Sequence, residues 1–122
     1  MSESIIKNKS FELAKRGVNF YKYLISEKKE FVMSKQFLRS ITSVGANVRE
    51  AINAQSKADF IHKLSISQKE CDETMYWLEL LKETNYISEI EFNSIHQQSN
   101  EVLKIIRSII ITSKKKLITH NY

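Results

Sequence analysis

The 122-residue sequence contains no proline, two glycines and one cysteine. Without proline, and with glycine only at Gly17 and Gly45, it lacks the punctuation that tight hairpins, glycine-rich phosphate loops and strand-rich sandwiches require. A lone cysteine excludes an internal disulfide. Long hydrophobic runs are missing too, because charged residues make up 27% of the chain and interrupt each apolar stretch well short of a membrane span. The first ten residues hold only the short apolar pair Ile5 and Ile6 beside Glu3, Lys7 and Asn8, so no secretory leader is read there and the protein is expected in the cytosol. What is present is a 42% hydrophobic composition, too apolar for disorder. By size scaling, about two thirds of the extended surface of such a chain is buried on folding.

Apolar residues recur three and four positions apart, with no sustained alternation of period two, so the chain reads as one all-α domain of four helices at about 9 to 27, 34 to 53, 57 to 84 and 88 to 115. In the first helix Phe11, Ala14, Val18, Tyr21 and Leu24 form the expected stripe, with Asn8 or Ser10 as its cap. The second carries Phe37, Ile41, Val44, Val48 and Ala51. The third carries Phe60, Leu64, Ser67, Cys71, Thr74, Leu78 and Leu81 in strict four-three spacing, the pattern of a left-handed bundle seam. On that seam Cys71 reads as a small buried hydrophobe rather than a nucleophile. Asn85 is placed to stop the third helix, and Ser88 with Glu91 forms a capping box for the fourth. Short connections between such helices predict an antiparallel up-down bundle.

The fourth helix has Phe92, Ile95, Ser99, Val102, Ile106 and Ile109 on its seam, and Leu103, Ile105, Ile110 and Ile111 away from it. A second apolar stripe on a monomeric bundle would face water, so self-association is expected.

Charge is segregated. Residues 1–69 hold 13 basic and 6 acidic groups, residues 70–101 hold 1 and 8, and residues 102–122 hold 5 and 0, within a formal net charge of +5. An up-down bundle would bring Glu79, Glu83, Glu89 and Glu91 to one end. The other end would gather Lys7, Lys9, Lys15, Arg16, Arg49, Lys57, Lys63, Arg107 and Lys114 to Lys116 against Glu3, Glu12, Glu50 and Asp59. A basic end is read either as a solvated helix terminus or as a phosphate-binding surface. In the second case Lys57, Arg107, Lys114, Lys115 and Lys116 are the candidate nucleic-acid contacts. No zinc-finger spacing, aromatic RNA-binding signature or recognition-helix motif points to base-specific readout.

Polar groups also interrupt the helices at fixed spacings. Ser43, Asn47 and Glu50 share one face of the second helix, and Glu70, Glu73, Trp77 and Leu80 share a face of the third. A hairpin turning near Gln55 sets Glu50 opposite Lys63 and Arg39 opposite Glu73. These groups read either as half-buried pairs that fix helix register or a subunit contact, or as a ligand site. Metal and catalytic readings find little support. Asp59 and His62 make one carboxylate-x-x-His pair with no second copy, and no Cys/His or Ser/His/Asp set comes with an oxyanion turn. No cofactor, no metal, no membrane contact and no enzymatic activity are expected.

The segment QFLRSITSVGANVREAINAQSKADFIHKLSISQKECDETMYWLELL, from Gln36 to Leu81, resembles the signature of the four-helix-bundle proteins encoded by 23S ribosomal RNA intervening sequences. Arg39, Ser43, Asn47, Glu50 and Ala51 carry it on the second helix. Ser56, Phe60, Lys63, Glu70, Glu73, Trp77 and Leu78 carry it on the third. The resemblance implies a bacterial up-down bundle that assembles as a ring-like homopentamer without established enzymatic activity. Similar bundles are accessory proteins of diversity-generating retroelements. The resemblance therefore also implies RNA or DNA, and a partner protein such as a reverse transcriptase, as possible company.

Overall fold

The computed structural model describes residues 2–120; Met1, Asn121 and Tyr122 lie outside the described residues. Its elements are α1 (Ser2–Ser26), α2 (Met33–Ile52), α3 (Lys57–Glu83) and α4 (Glu89–His120), with no strand among the described residues. α1 and α3 each pack on both α2 and α4, and neither diagonal pair of helices brings Cα atoms within 8 Å among the described residues. One core, running from Ile6 to Ile110, is lined by all four helices. The fold is therefore an all-α four-helix bundle.

The bounds of α2 and α3 lie within one residue of those read from periodicity. The outer helices are longer: α1 begins at Ser2 rather than Lys9, and α4 continues to His120 rather than ending at 115. The expected cap at Asn8 or Ser10 is overturned, since both lie inside α1, where the Ser10 hydroxyl donates to the Lys7 carbonyl at 3.2 Å. A serine that satisfies itself locally within a helix carries the same sequence signal as a cap. Lys114 to Lys116, where the fourth helix was expected to end, lie within α4.

The shorter connections follow their chemistry. Ser56 caps α3 by accepting the Asp59 N–H at 3.0 Å. Asn85 adopts a left-handed φ of 68°, and the N–H groups of Asn85 and Tyr86 return to the carbonyls of Lys82 and Leu81, which closes α3 in a Schellman arrangement. Ser88 and Glu91 form the reciprocal capping box, with Glu91 N–H on Ser88 Oγ at 3.1 Å and Ser88 N–H on Glu91 Oε1 at 2.7 Å.

Side-chain burial follows the expected seams on α2 and α3, except that Ile61 is buried where Phe60 is only partly covered. On α1 the expectation is corrected. The buried stripe is Ile6, Ser10, Leu13, Gly17 and Leu24, while Phe11 is 51% exposed and Ala14, Val18 and Tyr21 are only partly buried. The reason is the close approach of α2. A methyl built on Gly17 would overlap Ile41 Cγ2 and lie 2.9 Å from its Cδ1, and one built on Gly45 would lie 3.2 Å from the Ser10 carbonyl oxygen. Small residues, Ser10, Gly17 and Gly45, stand where the two helices come closest.

On α4 the seam passes through Phe92, Ile95, Ser99, Val102, Ile106, Ile110 and Ser113. Leu103 and Ile110, read as part of an outward stripe, are buried, so the outward apolar residues of α4 are Ile90, Ile111 and Ile118. A helix held by neighbours on both sides buries a wider arc than one seam.

Candidate functional site

The polar residues of α2 and α3 separate into an interior ladder and two surface clusters. Inside, the Ser67 hydroxyl donates to the Val44 carbonyl at 2.7 Å and the Thr74 hydroxyl to Ser40 Oγ at 3.0 Å, with Ser40 donating in turn to the Phe37 carbonyl. These fully buried hydroxyls are satisfied by one another or by backbone carbonyls, and they fix the register of α2 against α3. Ser40 did not stand out in the sequence, because nothing in its local pattern separates it from the other serines of α2.

The first surface cluster centres on Arg39. Its guanidinium bonds the Glu73 carboxylate and lies 3.1 Å from Glu70 Oε2, and Glu73 also accepts the Trp77 indole N–H at 3.1 Å. The Trp77 bond is the main influence holding the Glu73 carboxyl below the usual glutamate range, with Arg39 acting in the same direction against partial burial. Glu73, and then Glu70, raise the Arg39 guanidinium. The second cluster is Lys63 with Glu50, at 2.9 Å, where Glu50 raises the Lys63 ammonium. Both pairings read from the hairpin, Arg39 with Glu73 and Lys63 with Glu50, are formed. One member of each pair is about half exposed, Arg39 at 47% and Glu50 at 57%, and its partner is more covered, Glu73 at 36% and Lys63 at 29%. Ser43 and Asn47 do not join either cluster. The Asn47 amide donates back to the Ser43 backbone carbonyl at 2.9 Å, so the Asn47 side chain is used within α2.

The basic residues are dispersed differently from the sequence expectation. Lys57 opens α3, its ammonium 5.6 Å from the Phe60 ring, and Lys114, Lys115 and Lys116 are exposed on the last turns of α4. Arg107 does not accompany them. It lies 3.9 Å from Asp72 near the middle of α3, which is roughly 22 Å along the axis from Lys57 at 1.5 Å per residue. Lys9 pairs with Glu101 on α4, and Arg16 reaches Gln98 at 2.8 Å.

Sequence reasoning missed a groove on the surface. A groove of about 690 Å³ runs between α1 and α2 to the start of α3, with Phe11, Ala14, Gly45 and Ala46 among its apolar lining and Lys7, Arg49 and Lys63 among its basic lining. The Arg49 guanidinium stands 5.8 Å and the Lys15 ammonium 6.0 Å from the centroid of the Phe11 ring. Its signal lay in the register of α1: once Ile6, Leu13 and Leu24 define the seam, Phe11 falls outside it.

Among the described residues no three His, Cys, Asp or Glu side chains group so as to hold a metal ion, and no helix is long and apolar enough to cross a membrane. The Cys71 thiol is buried, donates to the Ser99 carbonyl at 3.2 Å, and is pushed up to about 12 chiefly by burial.

Comparison with known proteins places the chain beside a described family and a solved structure. The family model described as the 23S rRNA-intervening sequence protein matches residues 2–108. The chain is 57% identical to a crystal structure from Bacteroides thetaiotaomicron VPI-5482, a protein of unknown function from the S23 ribosomal protein family. The TM-score is 0.89, and the match covers 90% of this chain and 98% of that one. Among curated proteins, none matches.

Proposed function

The chain belongs to the 23S rRNA-intervening sequence protein family, and from that premise we propose that it is a non-enzymatic, oligomeric accessory protein that holds RNA or DNA against one basic end of an up-down bundle. The observation that carries this reading is the charge of the final segment: residues 102–122 hold five basic groups and no acid, and Lys114 to Lys116 are exposed.

The up-down order is supported by the facing pairs. As numbers rise along one helix they fall along its neighbour, from Phe11 beside Arg49 to Phe20 beside Phe37, and from Glu50 beside Lys63 to Ser40 beside Thr74. In that order the starts of α1 and α3 and the ends of α2 and α4 share one end. Lys7, Arg49, Lys57 and Lys114 to Lys116 then form its charge, and Arg107 stands apart. Glu79, Glu83, Glu89 and Glu91 lie at the other end.

A ring-like homopentamer is the assembly we propose, with Ile5, Ile111 and Ile118 as apolar groups available for subunit contact. Cyclic symmetry points all basic ends the same way, so assembly multiplies the local field. The rival is a protein-interaction module whose acidic end meets a basic partner such as a reverse transcriptase. The exposed Glu83 and Glu89 favour it.

The test is filter binding of structured RNA by the wild type and a Lys114→Gln/Lys115→Gln/Lys116→Gln variant at several salt concentrations, with mass measured by light scattering. Stability should change by no more than about 0.5 kcal/mol. Each lost phosphate contact should reduce the salt slope by about 0.9 on duplex or about 0.7 on single strands. Unchanged affinity and slope would move the site elsewhere, and absence of binding by both proteins at low salt would favour the interaction module.

A further inference from the structure

A phenylalanine left outside the core needs a physical account. α1 turns Ser10 and Gly17 inward while Phe11, the bulkier residue, is 51% exposed in the groove between α1 and α2. Two cations approach its ring, Arg49 at 5.8 Å and Lys15 at 6.0 Å. Lys15 is also engaged by Glu12 at 3.4 Å, whereas neither Arg49 nor Lys7 has a carboxylate within 4 Å among the described residues. The two acids that line the groove are Glu50, held by Lys63, and Asp59, on the first turn of α3. The groove thus holds two cations without a carboxylate partner among the described residues, small residues at Gly45 and Ala46, and an aromatic ring that is half exposed.

An exposed aromatic ring beside cations, over a slot of small residues, matches the chemistry of an unstacked base followed by its phosphate. Bases stack on aromatic side chains and on arginine planes, and cations neutralise the backbone. The volume of about 690 Å³ lies within the range of small-ligand sites. A duplex offers phosphates to such a surface but keeps its bases inside the stack, so only an unpaired nucleotide can use the ring.

We propose that the α1/α2 groove is a slot for one unpaired nucleotide of a single-stranded RNA or DNA, its base stacked on Phe11 and its phosphate held by Arg49 and Lys7. This deepens the nucleic-acid reading above and rests on it. It adds a preference for single strands, and a second contact beside the charge of the α4 terminus.

The test is fluorescence anisotropy with the full chain, using a fluorescein-labelled 12-nucleotide RNA, the DNA of the same sequence, and the blunt RNA duplex, all at matched salt (lengths of about one OB-fold site). Phe11→Ala should weaken single-strand binding by about 5- to 150-fold, the span of one lost base–aromatic stack. It should leave duplex binding and the salt slope unchanged. Phe11→Trp should restore single-strand affinity, and Arg49→Gln should reduce the salt slope. Equal affinity for the RNA and DNA strands supports recognition of base and phosphate alone; tighter RNA binding supports a further contact to the 2′-hydroxyl. If Phe11→Ala keeps its melting temperature and mass and binds the single strands as the wild type does, the slot is refuted while binding by the basic end stands. A changed mass for that variant would make the groove a contact between copies of the chain and overturn the slot. Failure of the wild type to bind any of the three at low salt would overturn both readings together.

Discussion

Glu30 and Ser34 hold each other twice: the Ser34 N–H donates to Glu30 Oε1 and the Ser34 hydroxyl donates to the Glu30 carbonyl, both at 2.6 Å. Glu30 Oε2 also accepts the N–H groups of Val32 and Met33 at 3.1 Å each. Val32, at the N-cap position of α2, supplies no side-chain bond, so a buried glutamate two residues upstream satisfies the first turn instead. Negative charge at a helix N-terminus also meets the positive end of the helix dipole.

Glu30→Ala should therefore destabilise the protein by about 1–3 kcal/mol, the scale of buried N–H groups left without partners. Glu30→Gln keeps an acceptor oxygen and should lose less. Urea midpoints of the two variants at neutral pH check the order, and an unshifted midpoint for Glu30→Ala would show that water serves the turn equally well.

Gly17→Ala places a methyl against Ile41, whose side chain is fully buried. Helix propensity would favour the change by about 1 kcal/mol, but overpacking costs typically 1–3 kcal/mol and should prevail. Combining it with Ile41→Val removes the Cδ1 that lies 2.9 Å from the new methyl. The pair should recover part of the loss, as a double-mutant cycle on thermal melts would show.

Acid should weaken the fold through Glu73 and Glu91. The Glu91 carboxyl is held below the usual glutamate range chiefly by the Ser88 backbone N–H, as Glu73 is by Trp77. A carboxylate whose folded value is depressed contributes stability that is present above its unfolded value, about 4.3, and is lost as the pH falls through the folded value. Glu91→Gln should flatten the dependence of stability on pH between about 5 and 3. Glu73→Ala, an exposed pairing, should cost no more than about 1 kcal/mol at neutral pH, and less in high salt. A larger, salt-independent loss would give this cluster a structural weight beyond surface pairing.

Cys71, buried beside Ser99 with its thiol raised to about 12, should resist a thiol reagent such as Ellman's reagent at pH 8 in the native state. Its reaction rate should rise with urea in step with unfolding. Prompt stoichiometric labelling of the folded protein would contradict the burial.

Much of α2 and α3 was legible because their seams are built from large apolar residues in strict four-three spacing, and their ends are marked by Ser56, Asn85 and the Ser88–Glu91 box. The hairpin they form was legible in the same way: antiparallel register follows from a short turn, and it placed Arg39 on Glu73 and Lys63 on Glu50. α1 was misread because its contact line is made of Ser10 and Gly17, which carry no hydrophobic signal, while Phe11 carries a strong one. Nothing local to a helix tells whether a small residue faces outward or marks where a neighbour comes close.

The sequence by itself determined that the chain is helical, where its two central helices begin and end, which polar residues pair across them, and how its charge divides along the chain. Helicity and helix ends are properties of near neighbours and fixed spacing, and the pairs across α2 and α3 follow from the register that a short antiparallel turn imposes. Only the tertiary structure decided which face of α1 is buried, that Arg107 meets Asp72 rather than the lysines of the α4 terminus, that Glu30 folds back to cap α2, and that Phe11 opens onto a groove. Each of these depends on how closely two helices approach. That distance is set by packing across the bundle, where a missing Cβ at Gly17 or Gly45 counts for as much as a large side chain.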